Sequence, residues 1–140
     1  QLHGCNYYRY KLMSTLKVNT IQNTSGGSSS TPEQIEQGRA KVWVCFNGTG
    51  TIAIRDSFNT SSITDNGTGI YKVNFSTALS NTNFCVSGMG SDAQTQFGAY
   101  MMDSSSNSSH LRTTSSVTVF SLSSQSLLDT TFNNVVVFGD

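Results

Sequence analysis

Few residues in this chain have the types and spacings that carry catalysis or hold metal ions. Its only histidines are His3 and His110, and its three cysteines are Cys5, Cys45 and Cys85. None of them falls in a CxxC, HxxH or HExxH pattern, and zinc sites are recognised by such spacings. We therefore expect neither a metal site nor a cofactor.

Patterns for nucleophilic or acid–base chemistry are also missing. Serine is abundant, but the sequence upstream of Ser87 departs from the G-x-S-x-G elbow. A glycosidase needs two carboxylates that flank a cleft, and no pair is singled out by spacing. The aspartates considered are Asp56, Asp65, Asp92, Asp103 and Asp129. We expect no enzymatic activity and no catalytic residues.

One polar segment is a candidate for binding rather than catalysis. The residues from Asp103 to Ser109 read DSSSNSS and precede His110. We predict a receptor-contact loop with Asp103, Asn107 and His110 as contact residues; a solvated loop without a partner is the alternative. Exposed aromatic residues would instead favour sugar binding. Tyr71 and Tyr100 could form such an aromatic patch, but we expect both to lie in the core.

The cysteines are odd in number, so at least one cannot pair within the chain. Cys45 and Cys85 lie in apolar, strand-like runs, where a free cysteine behaves as a small hydrophobe. We predict reduced thiols in the core for both, and a disulfide stays the alternative.

The charge and the apolar content of the chain argue against two classes of partner, nucleic acids and membranes. The formal net charge is +0 and the basic residues are dispersed, whereas nucleic-acid binding needs clustered positive charge. No apolar run approaches the roughly 20 residues that span a bilayer. We expect neither nucleic-acid binding nor membrane insertion. Charged residues make up only 11% of the chain, which suits β-structure whose burial is completed by neighbouring subunits.

Residues 1–38 are predicted to form an extended arm, a linker and one short helix. Leu16–Gln22 alternates apolar and polar residues, as a short half-exposed strand does. Asn23–Ser30 has the composition of a flexible linker. Thr31 and Gln34 then have the spacing of a capping box, which predicts a helix of one or two turns.

Residues 39–140 are predicted to form an antiparallel β-sandwich or jelly-roll-like domain. Lys41–Phe46 is apolar on both faces after its first residue, which indicates a central strand. Asn-Gly-Thr-Gly occurs at 47–50 and 66–69 and supplies the residues of tight turns. Further strands are predicted at Thr51–Arg55, Tyr71–Phe75, Asn83–Gly88, Gln96–Met102, Leu111–Leu122 and Phe132–Phe138. Many short strands without long helices are typical of an all-β sandwich.

Two long stretches carry a family resemblance. From Met13 to Val44 the chain reads MSTLKVNTIQNTSGGSSSTPEQIEQGRAKVWV. From Phe46 to Gly88 it reads FNGTGTIAIRDSFNTSSITDNGTGIYKVNFSTALSNTNFCVSG. The first resembles the beginning of tail-fibre-type virion structural proteins of marine tailed bacteriophages, cyanophages especially. The second is similar to a module that recurs in those proteins.

This resemblance implies a homotrimeric, β-rich fibre or appendage of the virion, assembled in the cytoplasm of the bacterial host. It also implies attachment to other virion proteins through the N-terminal arm, and contact with a glycan or protein of the host surface. No catalytic residue carries over. The alternatives are a stand-alone carbohydrate-binding module and a capsid decoration protein.

Overall fold

The structure, a computed structural model of the chain, describes residues 15–91, 99–103, 112–123 and 126–139. For residues 99–103 it describes the backbone alone. Within these ranges the chain forms eleven strands and one short helix, and every strand pair is antiparallel. The predicted all-β, antiparallel, sandwich-like class with one short helix is confirmed. The first fourteen residues of the predicted arm lie outside the described ranges.

The chain divides into two compact units, the first ending at Ile35 and the second beginning at Glu36. In the first unit, β1 (Ile21–Gln22) pairs with β2 (Ser29–Ser30) as a hairpin. The Asn23 side chain closes its loop, because Asn23 Oδ1 accepts a hydrogen bond from the Gly27 backbone N–H at 2.9 Å. The segment predicted as a flexible linker contains the loop of this hairpin.

The one helix, α1 (Pro32–Gly38), begins with the predicted capping box. The Thr31 backbone N–H donates to Gln34 Oε1 at 2.9 Å, and the Gln34 N–H donates to Thr31 Oγ1 at 3.2 Å. These reciprocal bonds satisfy two N–H groups that a helix start leaves unpaired. None of the helix residues is buried, so the cap rather than packing fixes where the helix begins.

The second unit contains the remaining strands, which form one nine-stranded sheet. They are β3 (Val42–Asn47), β4 (Ala53–Phe58), β5 (Thr60–Asp65), β6 (Ile70–Phe75), β7 (Cys85–Ser91), β8 (Ala99–Asp103), β9 (Ser116–Ser123), β10 (Ser126–Leu127) and β11 (Phe132–Phe138). The strand order is β4-β3-β11-β7-β8-β9-β6-β5, and β10 pairs with β9.

The two ends of this strand order meet at Asn59. β4 and β5 stand at opposite ends of the order, yet Asn59 alone separates them in the chain. Its φ of 54° is a left-handed conformation that asparagine tolerates better than most residues. Its side-chain amide donates to the Lys41 and Thr77 carbonyls, both at 3.1 Å. The sheet therefore curls back on itself, with Asn59 at the corner.

The core lies between the two halves of the curled sheet. The Phe46 ring on β3 meets the Tyr71 ring on β6 edge-to-face, with centroids 5.0 Å apart, although these strands are not neighbours in the sheet. The buried apolar residues are Val42, Val44, Phe46, Tyr71, Val73, Phe75, Phe84, Val117, Val119, Val135 and Val137. Alternate positions of β3, β6, β9 and β11 supply most of them, as a sandwich core requires.

Candidate functional site

Strand β3 is buried on one side only. Val42, Val44 and Phe46 are buried, whereas Trp43 is 36% exposed and Cys45 is half-buried. The prediction of a central strand is confirmed, because β3 lies between β4 and β11 in the sheet, but only one of its two apolar faces is buried. In a two-layer sandwich each sheet has one face toward the core and one outward, so the alternate apolar residues must reach the surface.

The outward side of β4, β3, β11 and β7 forms one continuous surface, the apolar outer face. Trp43 stands opposite Phe58 of β4 and Val136 of β11. In the next row, Cys45 stands opposite Asn134, which faces Met89 of β7. The apolar members of this face are Trp43, Cys45, Phe58, Met89, Phe132 and Val136. Phe58 is 52% and Met89 63% exposed, so this face presents large apolar side chains to solvent.

A shallow groove of about 420 Å³ crosses the middle of the apolar outer face. Trp43, Cys45, Met89 and Val136 supply apolar lining. Two polar groups also line it, the Ser87 hydroxyl and the Asn134 amide. Apolar walls with a few polar groups suit a flat ring or an apolar side chain held by one or two hydrogen bonds.

The charged side chains near the apolar outer face, Arg55 and Asp56, lie on β4 at its edge and make polar contacts there. The Arg55 guanidinium lies 4.4 Å from the centre of the Phe132 ring and donates to the Thr131 carbonyl at 3.2 Å. Asp56 Oδ1 accepts a hydrogen bond from the Ser57 N–H at 2.8 Å. The groove between β3 and β7 is lined by uncharged residues, which lowers the desolvation cost of covering it.

The outward side of β5 and β6 is different in character. The Asn74 amide donates to Ser62 Oγ and to Thr64 Oγ1, both at 3.0 Å. Lys72 stands on the same side of β6 and opposite Thr64. This surface is a polar ladder whose groups already bond to each other, so it offers little apolar area to a partner.

A buried polar pair ties the two Asn-Gly-Thr-Gly copies together. The Tyr71 hydroxyl donates to Asp129 Oδ1 at 2.7 Å and also lies 3.1 Å from the Gly48 carbonyl oxygen. The Gly69 N–H donates to the same Asp129 oxygen at 2.7 Å. Burial raises the pKa of the Tyr71 hydroxyl far above its ordinary value, and the hydrogen bond to Asp129 raises it further.

The backbone at Gly48 packs closely against the Tyr71–Asp129 pair, which indicates a structural role for these two residues. A Cβ at Gly48 would lie 2.4 Å from Tyr71 Oη and 2.6 Å from Asn133 Nδ2. Tyr71 itself is fully buried. The two turns that resemble each other in sequence are therefore joined by a tyrosine and a carboxylate at one end of the sandwich.

The predicted contact loop is described only at its beginning. Asp103 is the last residue of β8 and pairs with Val119, so the strand continues one residue into the segment predicted as loop. Asn107 and His110 lie outside the described residues. Tyr71 is fully buried, which excludes it from a sugar-binding surface, and the side chain of Tyr100 is outside what the structure describes.

The cysteines were predicted to be core thiols, and that prediction is wrong about burial. Cys45 is half-buried, Cys85 is exposed, and both are free thiols. They occupy outward-facing positions of β3 and β7, on the apolar outer face and at its margin. Cys5 lies outside the described residues.

The described residues contain neither a cluster of metal-binding side chains nor a helix that could span a membrane. In the ranges given above, no group of three or more His, Cys, Asp or Glu side chains is placed to share a metal ion. No helix of the described chain is long and apolar enough to cross a membrane.

Sequence reasoning missed the apolar outer face, although a signal for it was present. Val42 to Phe46 is apolar at both odd and even positions, and the described ranges contain one short helix that could cover a sheet. A sandwich with such a strand must expose apolar side chains, and Trp43 and Cys45 are the residues that alternate with the core.

The chain was compared with protein-family models, with curated proteins and with solved structures. No family model matches it, and neither does any curated protein or solved structure. Its function must therefore be argued from its own residues, and above all from the apolar outer face.

Proposed function

We propose that this chain is a structural protein of a bacteriophage virion, a tail fibre or a related appendage, and that it associates as a homotrimer through the apolar outer face. The observation that carries the association is the exposure of Trp43, Phe58 and Met89 on one continuous sheet surface. The virion setting follows from the resemblance of the stretches Met13–Val44 and Phe46–Gly88 to tail-fibre-type proteins.

The make-up of this face supports association between subunits. Aromatic residues, methionine and arginine are enriched in protein–protein interfaces, and charged residues are depleted at their centres. Here Trp43 and Met89 line the central groove, while Arg55 stands at the edge over Phe132. Covering the exposed apolar groups contributes about 25 cal/mol per Å² of apolar surface removed from water.

The first unit supports attachment to a second kind of partner. None of its residues from 15 to 35 is buried, and Leu16 is 82% and Ile21 53% exposed. Residues 15–35 bury none of their apolar side chains, and docking these on another surface would stabilise them. We therefore assign attachment to other virion proteins to this N-terminal region.

Immunogold labelling of phage particles tests the proposal. Antibodies raised against the chain are applied to particles whose genome encodes it, and the particle proteome is measured in parallel. Label on the tail or its fibres supports an appendage, and label on the head supports a capsid decoration protein instead. Particles without label, whose proteome also lacks the chain, contradict a virion role.

A carbohydrate-binding module is the second candidate, and the groove is the observation that favours it. Trp43 is a partly exposed aromatic surface, and the Asn134 amide and Ser87 hydroxyl stand across the same groove. A glycan array separates the two functions. Sugar binding that is lost in Trp43→Ala supports a host-surface glycan as ligand, whereas an array without signal leaves the scaffold role.

A further inference from the structure

The two Asn-Gly-Thr-Gly copies place an asparagine directly before a glycine, at 47–48 and at 66–67. In such a pair the glycine backbone nitrogen can attack the side-chain amide carbon of the asparagine, because glycine has no Cβ to block the approach. The reaction needs room for a five-membered ring and a backbone N–H that is free to lose its proton. In both copies the glycine N–H donates a hydrogen bond of 2.9 Å, but Gly48 is buried and Gly67 is exposed.

Hydrogen bonds and close packing surround the first copy, Asn47-Gly48. Asn47 Nδ2 donates to the Thr49 carbonyl at 2.6 Å, which fixes the amide. The Gly48 N–H donates to the Thr130 carbonyl at 2.9 Å. Gly48 is buried, and the position of a Cβ there is 2.4 Å from Tyr71 Oη. Neither the proton nor the space that the reaction needs is available.

The second copy stands open to water. Asn66 and Gly67 are exposed, and apart from residues 66–68 no described atom lies within 4 Å of the position of a Cβ at Gly67. The Gly67 N–H donates to Asp65 Oδ1 at 2.9 Å, a bond at the surface that solvent can exchange with. The φ of Gly67 is 123°, which only glycine adopts without strain.

We propose that Asn66 is a deamidation site of the folded protein and that Asn47 is protected. The Gly67 nitrogen bonds to Cγ of Asn66 and passes its proton to a solvent base. The bond from Cγ to Nδ2 breaks, and the nitrogen leaves as ammonia after taking a proton from water. A water molecule then opens the cyclic imide at either carbonyl, which gives aspartate or isoaspartate at position 66.

The product would alter the turn that holds the buried polar pair. Isoaspartate adds one carbon to the backbone between β5 and β6, and either product adds a carboxylate beside Asp65. The same turn contains Gly69, whose N–H donates to Asp129 and whose carbonyl accepts from the Ser121 N–H at 2.8 Å. We expect the modified protein to unfold at a lower temperature than the fresh protein.

Peptide mapping of the full chain tests this proposal. The folded protein is incubated at mildly alkaline pH, and the fraction of each asparagine converted is followed by mass spectrometry. We expect Asn66 to convert at least about tenfold faster than Asn47, because reaction at Asn47 requires local opening of the fold. Equal rates in the folded protein, or an intact Asn66 after long incubation, overturn the proposal.

The same chain in denaturant is the matched control. Both asparagines then stand in the same unfolded Asn-Gly-Thr-Gly sequence, so their rates should converge. A difference that persists in denaturant assigns the selectivity to sequence and contradicts protection by the fold. A second check is Asn66→Gln, which should remove the acidic species seen on isoelectric focusing of aged protein. If that species persists in the variant, the reacting residue is another one.

Discussion

The Tyr71 hydroxyl donates a hydrogen bond of 2.7 Å to Asp129 Oδ1, and this bond joins strand β6 to the segment before β11. The same carboxylate oxygen accepts the Gly69 N–H, and the hydroxyl also reaches the Gly48 carbonyl. Tyr71 therefore connects both Asn-Gly-Thr-Gly turns to the last part of the chain. At this point polar bonds as well as packing hold the two halves of the sandwich together, as the Asn59 amide does at the corner.

Tyr71→Phe should lower the free energy of unfolding by about 1.5–3 kcal/mol, the range for a hydrogen bond to a charged group. The ring and its packing against Phe46 are retained, so the loss reports the hydroxyl alone. Urea denaturation followed by circular dichroism measures it. An unchanged midpoint and slope would mean that the bond to Asp129 contributes nothing to stability.

The raised pKa of Tyr71 makes stability fall at high pH. Above the ordinary tyrosine pKa of 10.0, the unfolded chain releases this proton while the native chain keeps it. The unfolded state then binds fewer protons, so the free energy of unfolding decreases as pH rises. This contribution is fully present below pH 10 and is lost toward the pKa of the folded state. Urea midpoints measured across this window should decrease more steeply for the native sequence than for Tyr71→Phe, and equal slopes would contradict the assignment.

Alanine at Gly48 and alanine at Gly50 should have unequal effects. Gly48→Ala places a methyl group against Tyr71 and Asn133, and overpacking of this kind costs about 3 kcal/mol. Gly50 has φ of 61° but nothing within 4 Å of its Cβ position, so Gly50→Ala costs about 1 kcal/mol for the left-handed backbone alone. Thermal unfolding of both variants compares them, and equal losses would show that close packing at Gly48 is unimportant.

Two buried threonines should respond to valine with opposite signs. Thr118 Oγ1 is buried and has no hydrogen-bond partner among the described residues, so Thr118→Val should raise the free energy of unfolding by about 1 kcal/mol. Thr130 Oγ1 donates to Asn133 Oδ1 at 2.5 Å, so Thr130→Val should lower it by about 1–2 kcal/mol. Chemical denaturation of the pair tests the contrast, which fails if both variants change stability in the same direction.

The parts of the fold that sequence predicts are those governed by neighbouring residues. The capping box of Thr31 and Gln34 and the alternation of Tyr71, Val73 and Phe75 are local patterns, and both are confirmed. The bounds predicted for the last strand, Phe132–Phe138, are also those of the structure. Each of these features has a signal in a short run of neighbouring residues, although the strands themselves pair with distant ones.

The features that sequence does not predict depend on distant pairing. Asn23–Ser30 has the composition of a linker, but the Asn23 amide closes it into a hairpin loop. The outward position of Trp43 follows from which side of β3 meets the core, and that depends on β6 and β9. Asp103 is drawn into β8 by pairing with Val119, which is sixteen positions later in the numbering. The predicted role of Asn107 and His110 in receptor contact stays a prediction.

Sedimentation equilibrium of the full chain tests the central claim, that copies associate through the apolar outer face. We predict a mass three times that of the 15.1 kDa chain. Trp43→Glu, which places a charge in the central groove, should reduce the mass to that of one chain, while Thr64→Glu on the polar face should leave the trimer intact. A native chain that sediments as a monomer, or a trimer that Trp43→Glu does not dissociate, would contradict this account.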